Sequence, residues 1–369
     1  MKWKRILKWS ALALLLTLFA WFEFAYWAST NDCGRSTPAG RERMKAVRFC
    51  EYGPPDVLKV EEVEKPVPKD NELLVRVHAA SLNFIDAGLV RGPLPLRFFF
   101  GLRKPKFTGF GEDFAGVIEA VGNSVTEFKP GDEVLGRKGG AVAEYVCARN
   151  DRVVLKPANI SFEQAGAATW AGLTALQGLR TGKINAGQKV LINGASGGVG
   201  TFALQIAKAF DTEVTAVAST RNLEIARMLG ADHVIDYTRE DFTKRAERYD
   251  LLFDNVNNHS MSERRRILSP NGICVLAGIG GAGPTQEQLA RIARGFGVGF
   301  LSRFSDHKFE RYGTTWNQAD LKFLSDLMEQ GKVKPFVEKI YHLSEAAEAL
   351  RYFNEGHARG KLVIAMNNQ

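Results

Sequence analysis

The sequence predicts an α/β protein made of two unlike units, a doubly wound parallel sheet and a closed or half-open antiparallel barrel, preceded by an apolar N-terminal helix. Three observations lead there. Residues 44–146 hold short apolar or alternating runs broken by Gly-Pro punctuation, the pattern of many short strands. From Ser161 onward the period changes, and short apolar runs alternate with helical patterns, which implies parallel βαβ units with helices on both faces. Residues 10–29 form an apolar stretch whose one charged residue is Glu23.

In chain order, the strand-like runs of the first unit are 44–49, 73–78, 114–121 and 142–146. Gly53-Pro54-Pro55, Pro66-Val67-Pro68 and Lys129-Pro130-Gly131-Asp132 mark the turns around them. Ser161 with Gln164 forms a capping box ahead of a helix expected to run through Arg180. Strands at 189–193, 213–218, 233–236, 250–254 and 272–278 then alternate with helices at 199–210, 222–229 and 263–268. A helix over 318–330, a strand near 337–341, a Ser344-capped helix and a last strand at 361–365 follow, and these can return to complete the first unit. The expected division is an extension over 1–43, a barrel unit over 44–165 and 314–369, and a doubly wound unit over 166–313.

The formal charge of +8 is unevenly spread. Residues 1–43 carry seven Lys/Arg and three Asp/Glu, half of the excess, and no aromatic-interleaved basic stripe runs through the rest, so nucleic-acid binding is not expected. The four cysteines (Cys33, Cys50, Cys147, Cys274) are far apart with no C-x-x-C spacing, which predicts neither a disulfide framework nor a zinc site and suits a reducing compartment.

Lys2, Lys4, Arg5 and Lys8 precede the apolar stretch, and Tyr26 and Trp27 close it. Its length suits a bilayer span, and terminal aromatics suit the interface. Three readings stand open: an uncleaved membrane anchor over 10–29, a cleaved signal peptide, and a soluble protein whose translation starts at Met44. With an anchor, the folded portion is expected to face the cytoplasm, although Arg35, Arg41, Arg43 and Lys45 put similar charge on the far side of the stretch.

The most informative stretch is 187–208, GQKVLINGASGGVGTFALQIAK. An apolar strand breaks into a glycine-rich turn that opens an amphipathic helix. Glycines there permit the turn, let a pyrophosphate approach bare N–H groups, and let helix and strand pack closely. The anion then sits at the helix N-terminus. Alanine (Ala195) replaces the first glycine of the usual pattern. The next strand ends in Ser219-Thr220-Arg221-Asn222, with no carboxylate for a ribose 2′-hydroxyl; Ser219 and Arg221 suit a 2′-phosphate instead, so NADPH is expected over NADH.

With both halves in view, the chain from Met44 onward resembles the medium-chain dehydrogenase/reductase superfamily, in its zinc-free quinone oxidoreductase (ζ-crystallin-like) branch. The motifs that carry the resemblance are Ala79-Ala-Ser-Leu-Asn83-Phe-Ile-Asp86, Gly111-Glu-Asp-Phe-Ala-Gly116 followed by Glu119-Ala-Val-Gly122, the 187–208 fingerprint, Gly230-Ala-Asp-His-Val-Ile-Asp-Tyr237 and Gly360-Lys361-Leu-Val. The resemblance implies a Rossmann domain for NADP and a GroES-like catalytic domain. It implies that Asn83 and Asp86 line the nicotinamide pocket, Asn83 as a donor and Asp86 as a positioner; the alternative is that they cap the loop after Ser81. Thr169 would contact the carboxamide region. Ser196, Gly197, Gly198, Val199 and Gly200 would hold the pyrophosphate, Ser219 and Arg221 the 2′-phosphate, and Tyr237 the adenosine; Gly278, Ile279 and Lys361 are looser assignments.

Zinc-dependent relatives supply a Cys and a His-Glu pair to the metal; here those positions resemble Asn83 and Glu112, so no metal is expected. The implied reaction is hydride transfer from NADPH to a quinone or an α,β-unsaturated carbonyl. The alternatives are a zinc-independent alcohol dehydrogenase or enoyl reductase, or a non-catalytic NADPH-binding protein. A homodimer is suggested through edge strands near 272–278. Asn257 stands where relatives show Gly, which questions the pocket width. The aromatic and basic insert 91–107 reads either as a surface loop or as a membrane-contacting lid.

Overall fold

The computed structural model describes residues 17, 20, 21, 23, 26, 27, 29–33, 40–277, 308–356 and 358–366. Fifteen strands are described: β1 (Arg43–Phe49), β2 (Leu58–Glu64), β3 (Glu72–Ser81), β4 (Asp113–Val121), β5 (Glu133–Arg137), β6 (Tyr145–Arg149), β7 (Val153–Leu155), β8 (Lys189–Asn193), β9 (Glu213–Ala218), β10 (His233–Asp236), β11 (Tyr249–Asp254), β12 (Leu268–Leu276), β13 (Lys308–Arg311), β14 (Val337–His342) and β15 (Lys361–Ala365).

β8 to β13 form a parallel sheet in the order β10-β9-β8-β11-β12-β13. Helices on both faces explain why its central strands read as unbroken apolar runs rather than alternating ones. Val190, Leu191 and Ile192 of β8 are fully buried, as are Leu251, Leu252 and Phe253 of β11. The order places β8, the strand before the glycine turn, beside the point where strand order reverses, which is where such sheets take their ligands.

The second sheet runs β14-β15-β3-β4-β5-β7, with β6 also paired to β3. Its strands pair antiparallel except for β14 with β15. The last strands of the chain thus join the sheet built by its first half, β15 lying against β3 with Ile364 opposite Ala80. The α/β architecture with one barrel-like and one doubly wound sheet is therefore present.

Several local readings change. The Ser161 capping box forms in both directions, Gln164 N–H to Ser161 Oγ and Ser161 N–H to Gln164 Oε1. The helix it starts ends at Gly166, however, and a second runs Thr169–Thr181. The short first piece lies flat on β3: a Cβ at Gly166 would stand 2.7 Å from the Ala79 carbonyl. Strand β2 carries little apolar pattern, because its Glu61 and Glu62 pair across to Arg48 and Arg43 of β1. Strand β12 is not an edge: it lies between β11 and β13, so a dimer through 272–278 loses its basis. Cys33 and Cys50 are joined in a disulfide, against the expectation from cysteine spacing, while Cys147 and Cys274 are free and buried. With that pairing, cysteine usage no longer argues for a reducing compartment. Most of the apolar stretch 10–29 lies outside the described residues; among the described residues, no helix is long and apolar enough to cross a membrane.

A buried ion pair shapes the loop after β11. Arg264, 1% exposed, donates from Nε to Asp254 Oδ2 (2.8 Å) and from Nη2 to Asn257 Oδ1 (2.7 Å), and its Nη2 forms an ion pair with Asp254 Oδ2 at 2.7 Å. Asp254 Oδ1 accepts from the Val256 and Asn257 N–H groups and from Asn193 Nδ2. Asn257 adopts φ +58°, a conformation that Gly takes freely and Asn tolerates. Its side-chain carbonyl is turned to Arg264, so replacing the relatives' glycine there does not direct a side-chain oxygen into the crevice. Removing the guanidinium strands a buried carboxylate, so Arg264→Ala is expected to lower the unfolding free energy by about 3–5 kcal/mol, read by urea denaturation.

Candidate active site

The glycine turn leaves β8 with Gly194 at φ +82° and enters the helix Gly198–Ala209. A Cβ at Gly200 would stand 2.1 Å from the Gly194 carbonyl oxygen, so only glycine closes this turn. At Gly197, by contrast, an added Cβ would meet only the Gly194 oxygen at 3.6 Å; one side of the turn is open. No side chain caps the helix, which leaves its first-turn N–H groups for an anion.

The turn's other side is pinned to the second sheet. Gly360 N–H donates to the Ser196 carbonyl (2.8 Å), Gly197 and Gly360 make an isolated parallel bridge, and the Lys361 stem lies against Gly198. Around the corner, Asn222 is buried and its Nδ2 donates to Ser196 Oγ (3.0 Å) and Ser219 Oγ (3.1 Å). Its Oδ1 is buried with no partner. Asn222 thus joins the turn to the tip of β9, a role not evident from the Ser219–Asn222 sequence alone. Arg221 is exposed at that tip, and Tyr237, also exposed, donates its backbone N–H to the Ala218 carbonyl. Asp236, the carboxylate nearest the tip, is taken up by the Thr220 and Thr238 hydroxyls, which hold its pKa below the usual value. The open turn, the uncapped helix and the unpartnered Asn222 oxygen together fit an adenine dinucleotide.

Facing the turn is a buried polar cluster on β4, β15 and the start of the helix that follows β3. Lys361, 3% exposed, donates from Nζ to Asn83 Oδ1 (2.5 Å) and the Leu82 carbonyl (2.9 Å) and stands 3.9 Å from Asp113. Asn83 Nδ2 donates to Asp113 Oδ2 (3.0 Å), which also accepts from Trp170 N–H. Asp113 Oδ1 is buried and unpartnered. Asp86, 2% exposed, accepts from Asn83 N–H (2.7 Å), so it caps the helix Phe84–Arg91. Beside them Arg137 donates from Nε and Nη2 to Glu112 Oε2 and stacks on the Trp170 ring at 4.1 Å.

These placements sort the expected residues. Ser196, Gly197, Gly198, Val199 and Gly200 form one turn, with Ser219, Arg221 and Tyr237 along its edge. Asn83, Asp86 and Lys361 form one cluster, and the Lys361 ammonium points to Asn83 rather than into the dinucleotide crevice. Thr169 is fully buried and donates its hydroxyl to the Gly136 carbonyl. Gly278 and Ile279 lie outside the described residues. Asp113 and the Glu112–Arg137–Trp170 set were not singled out, because Glu112 was read for a missing metal ligand rather than for a partner. Glu112 is held by a guanidinium, and among the described residues no group of three or more His, Cys, Asp or Glu side chains could hold a metal ion.

Burial sets the charge states of this cluster. It raises the Asp86 carboxyl well above the ordinary value, with the Glu112 charge adding to the effect; it raises Asp113 and Glu112 and lowers Lys361.

A doubly wound sheet whose bare helix terminus faces a buried polar cluster on a second sheet is the frame of a two-domain nicotinamide-dependent oxidoreductase. The chain belongs to the medium-chain dehydrogenase/reductase superfamily, in its zinc-free quinone oxidoreductase branch. Residues 69–158 match the alcohol dehydrogenase GroES-like domain, and residues 229–364 the family described as zinc-binding dehydrogenase. The chain is 34% identical to the chloroplastic NADPH-dependent alkenal/one oxidoreductase of Arabidopsis thaliana, over 88% of this chain and 80% of that one. It is 31% identical to the quinone oxidoreductase of Homo sapiens, covering 89% and 99%. The solved structure of the quinone oxidoreductase from Coxiella burnetii superposes with a TM-score of 0.76 at 32% identity, over 88% of this chain and all of that one.

A buried carboxyl with a raised pKa withdraws stability as pH climbs from its ordinary value of 3.8 toward the raised one, and the loss is complete above that. Asp86→Asn keeps an oxygen for the Asn83 N–H and removes the charge. Its stability relative to the parent chain is expected to rise between pH 4 and pH 7, measured by denaturant titration at both; an equal difference at the two values contradicts the assignment.

Proposed function

We propose that this chain is an NADPH-dependent reductase that delivers hydride to a quinone or to the β-carbon of an α,β-unsaturated carbonyl, without a metal ion. The observation that carries the reading is the open glycine turn at 194–200, set against the Asn83–Lys361–Asp113 cluster and edged by Ser219 and Arg221 with no available carboxylate. The names of the relatives support it: one is an NADPH-dependent alkenal/one oxidoreductase and another a quinone oxidoreductase. The proposed units are 44–165 with 314–369 for the substrate side and 166–313 for the dinucleotide, and residues 10–29 serve as a membrane anchor.

When bound, the cofactor supplies the hydride. Conjugation lets the acceptor take it at carbon while the electron pair moves to the carbonyl oxygen, and a proton from solvent completes the saturated carbonyl or the hydroquinone. The chain orients and polarises. The helix N-terminus and Ser196 hold the pyrophosphate, Ser219 and Arg221 the 2′-phosphate, with Asn222 setting the distance between the two sites. Asn83 gives one amide hydrogen to Asp113, and its other is the donor for the developing oxyanion; Lys361 on Oδ1 makes that amide more acidic. Asp86 keeps Asn83 at its position by capping the helix.

Purified protein is expected to oxidise NADPH with a small enone or quinone and to leave the corresponding saturated ketone untouched, followed by loss of NADPH absorbance; tight NADPH binding with no turnover on any acceptor would favour a non-catalytic protein. Arg221→Glu is expected to weaken NADPH by about tenfold or more while sparing NADH, measured by fluorescence titration of each.

A further inference from the structure

We propose that the insert between Asn83 and Asp113 forms a docking face for an anionic lipid bilayer, contiguous with the end of the N-terminal apolar stretch. Strands β3 and β4 are neighbours, with Ser81 opposite Asp113, and the chain between them leaves and returns beside the polar cluster. Within this excursion the helix Leu94–Phe100 buries none of its residues. Leu94, Phe98, Phe99 and Phe107 are all more than half exposed, Phe99 at 76%. Arg97, Arg103, Lys104 and Lys106 accompany them, residues 87–111 contain no Asp or Glu, and among the described residues none of these four cations forms an ion pair. Exposed aromatics among unpaired cations match the chemistry of a bilayer surface bearing anionic headgroups.

The exposed aromatics stand on an ordered backbone. Tyr52 donates its hydroxyl to the Phe100 and Gly101 carbonyls (3.0 and 2.7 Å), its ring stacks under the Arg97 guanidinium, and Arg97 Nε donates to the Gly92 carbonyl. Exposure of the phenylalanines is therefore a feature of a built surface.

An independent observation supplies the orientation. The residues that end the apolar stretch are fastened to this same insert. Ser29 is buried, donates its hydroxyl to the Lys104 carbonyl (2.9 Å) and accepts from the Arg103 and Lys104 N–H groups. Gly101, at φ +114°, makes room for it: a Cβ there would stand 2.1 Å from the Lys104 oxygen and 3.0 Å from Ser29 Oγ. The Trp27 ring lies 4.8 Å from the Arg103 guanidinium carbon, Asn31 donates to the Cys50 carbonyl, Asp32 accepts from the Thr108 hydroxyl, and Cys33 is bonded to Cys50. The Trp27 ring is itself 62% exposed there. A membrane that receives residues upstream of Ser29 must therefore lie against Phe98, Phe99 and Phe107. A second copy of the chain is a poorer occupant, since a two-fold contact through this face would oppose like charges. The inference does not depend on the redox reaction.

The test uses the full chain with Phe99→Cys carrying an NBD fluorophore; Cys147 and Cys274 are buried and the other two cysteines are paired, which directs the label. On vesicles of phosphatidylcholine with one-quarter phosphatidylglycerol, the emission is expected to shift to the blue and to be quenched by doxyl-labelled lipid. A label at Met228→Cys, exposed on the other sheet's side, is expected to stay aqueous. Lys104→Glu with Lys106→Glu is expected to weaken the Phe99 response by about tenfold or more, since each basic residue near an anionic surface counts for roughly a fivefold change in affinity. An aqueous label at Phe99 on anionic vesicles, or no association of the chain with them, would overturn the proposal. So would a response equal on pure phosphatidylcholine and insensitive to the charge reversals, or a blue shift that grows with protein concentration in the absence of lipid, which would assign the face to a second copy.

Discussion

Everything in the crevice depends on one junction, the contact between the glycine turn and the start of β15. The turn must be bare on one side, where Gly197 faces open space, and held on the other, where Gly360 donates to the Ser196 carbonyl. One chain segment therefore sets the separation of the two sheets at the point where chemistry is proposed. The very next residue, Lys361, buries its ammonium against Asn83, so the register of β15 and the orientation of the Asn83 amide are fixed together. A shift of β15 by one residue would exchange its two faces and disconnect both contacts.

The buried polar groups form two separate systems with different tasks. Asp254 and Arg264 are a closed pair: the hydrogen bonds of the Asp254 carboxylate go to Arg264, to the loop it shapes and to Asn193. The cluster of Asn83, Asp86, Asp113 and Lys361 is left unfinished, with one Asp113 oxygen unpartnered and carboxyls raised by burial. Unfinished hydrogen bonding is costly in a core, which is why its place opposite the glycine turn marks it as a working surface rather than packing.

Much of this was legible in the sequence, for identifiable reasons. The parallel sheet announced itself because strands covered on both faces are uninterrupted apolar runs, and the glycine turn because its geometry excludes side chains. Signature residues without a ligand role were also visible yet not understood. Gln205 ties its helix to the Lys334 backbone in both directions, and Asp232 joins Lys208 to the Val214 N–H. Strand β2 was hidden because cross-strand ion pairs rather than apolar alternation hold it. The roles of Lys361 and Asn222 were hidden because hydrogen-bond partners 278 and 26 residues away leave no local pattern. The Cys33–Cys50 pairing leaves no spaced motif, since what brings the two thiols together is the fastening of Ser29, Asn31 and Asp32 beside β1 and the insert.

That covalent link changes how the leading segment can be parted from the folded body. Cys33 and Cys50 enclose the boundary between them, so a protease that cuts anywhere inside this loop nicks the backbone without separating the pieces. Liberation then takes two events of different chemistry, hydrolysis of a peptide bond and reduction of sulfur, and neither suffices by itself.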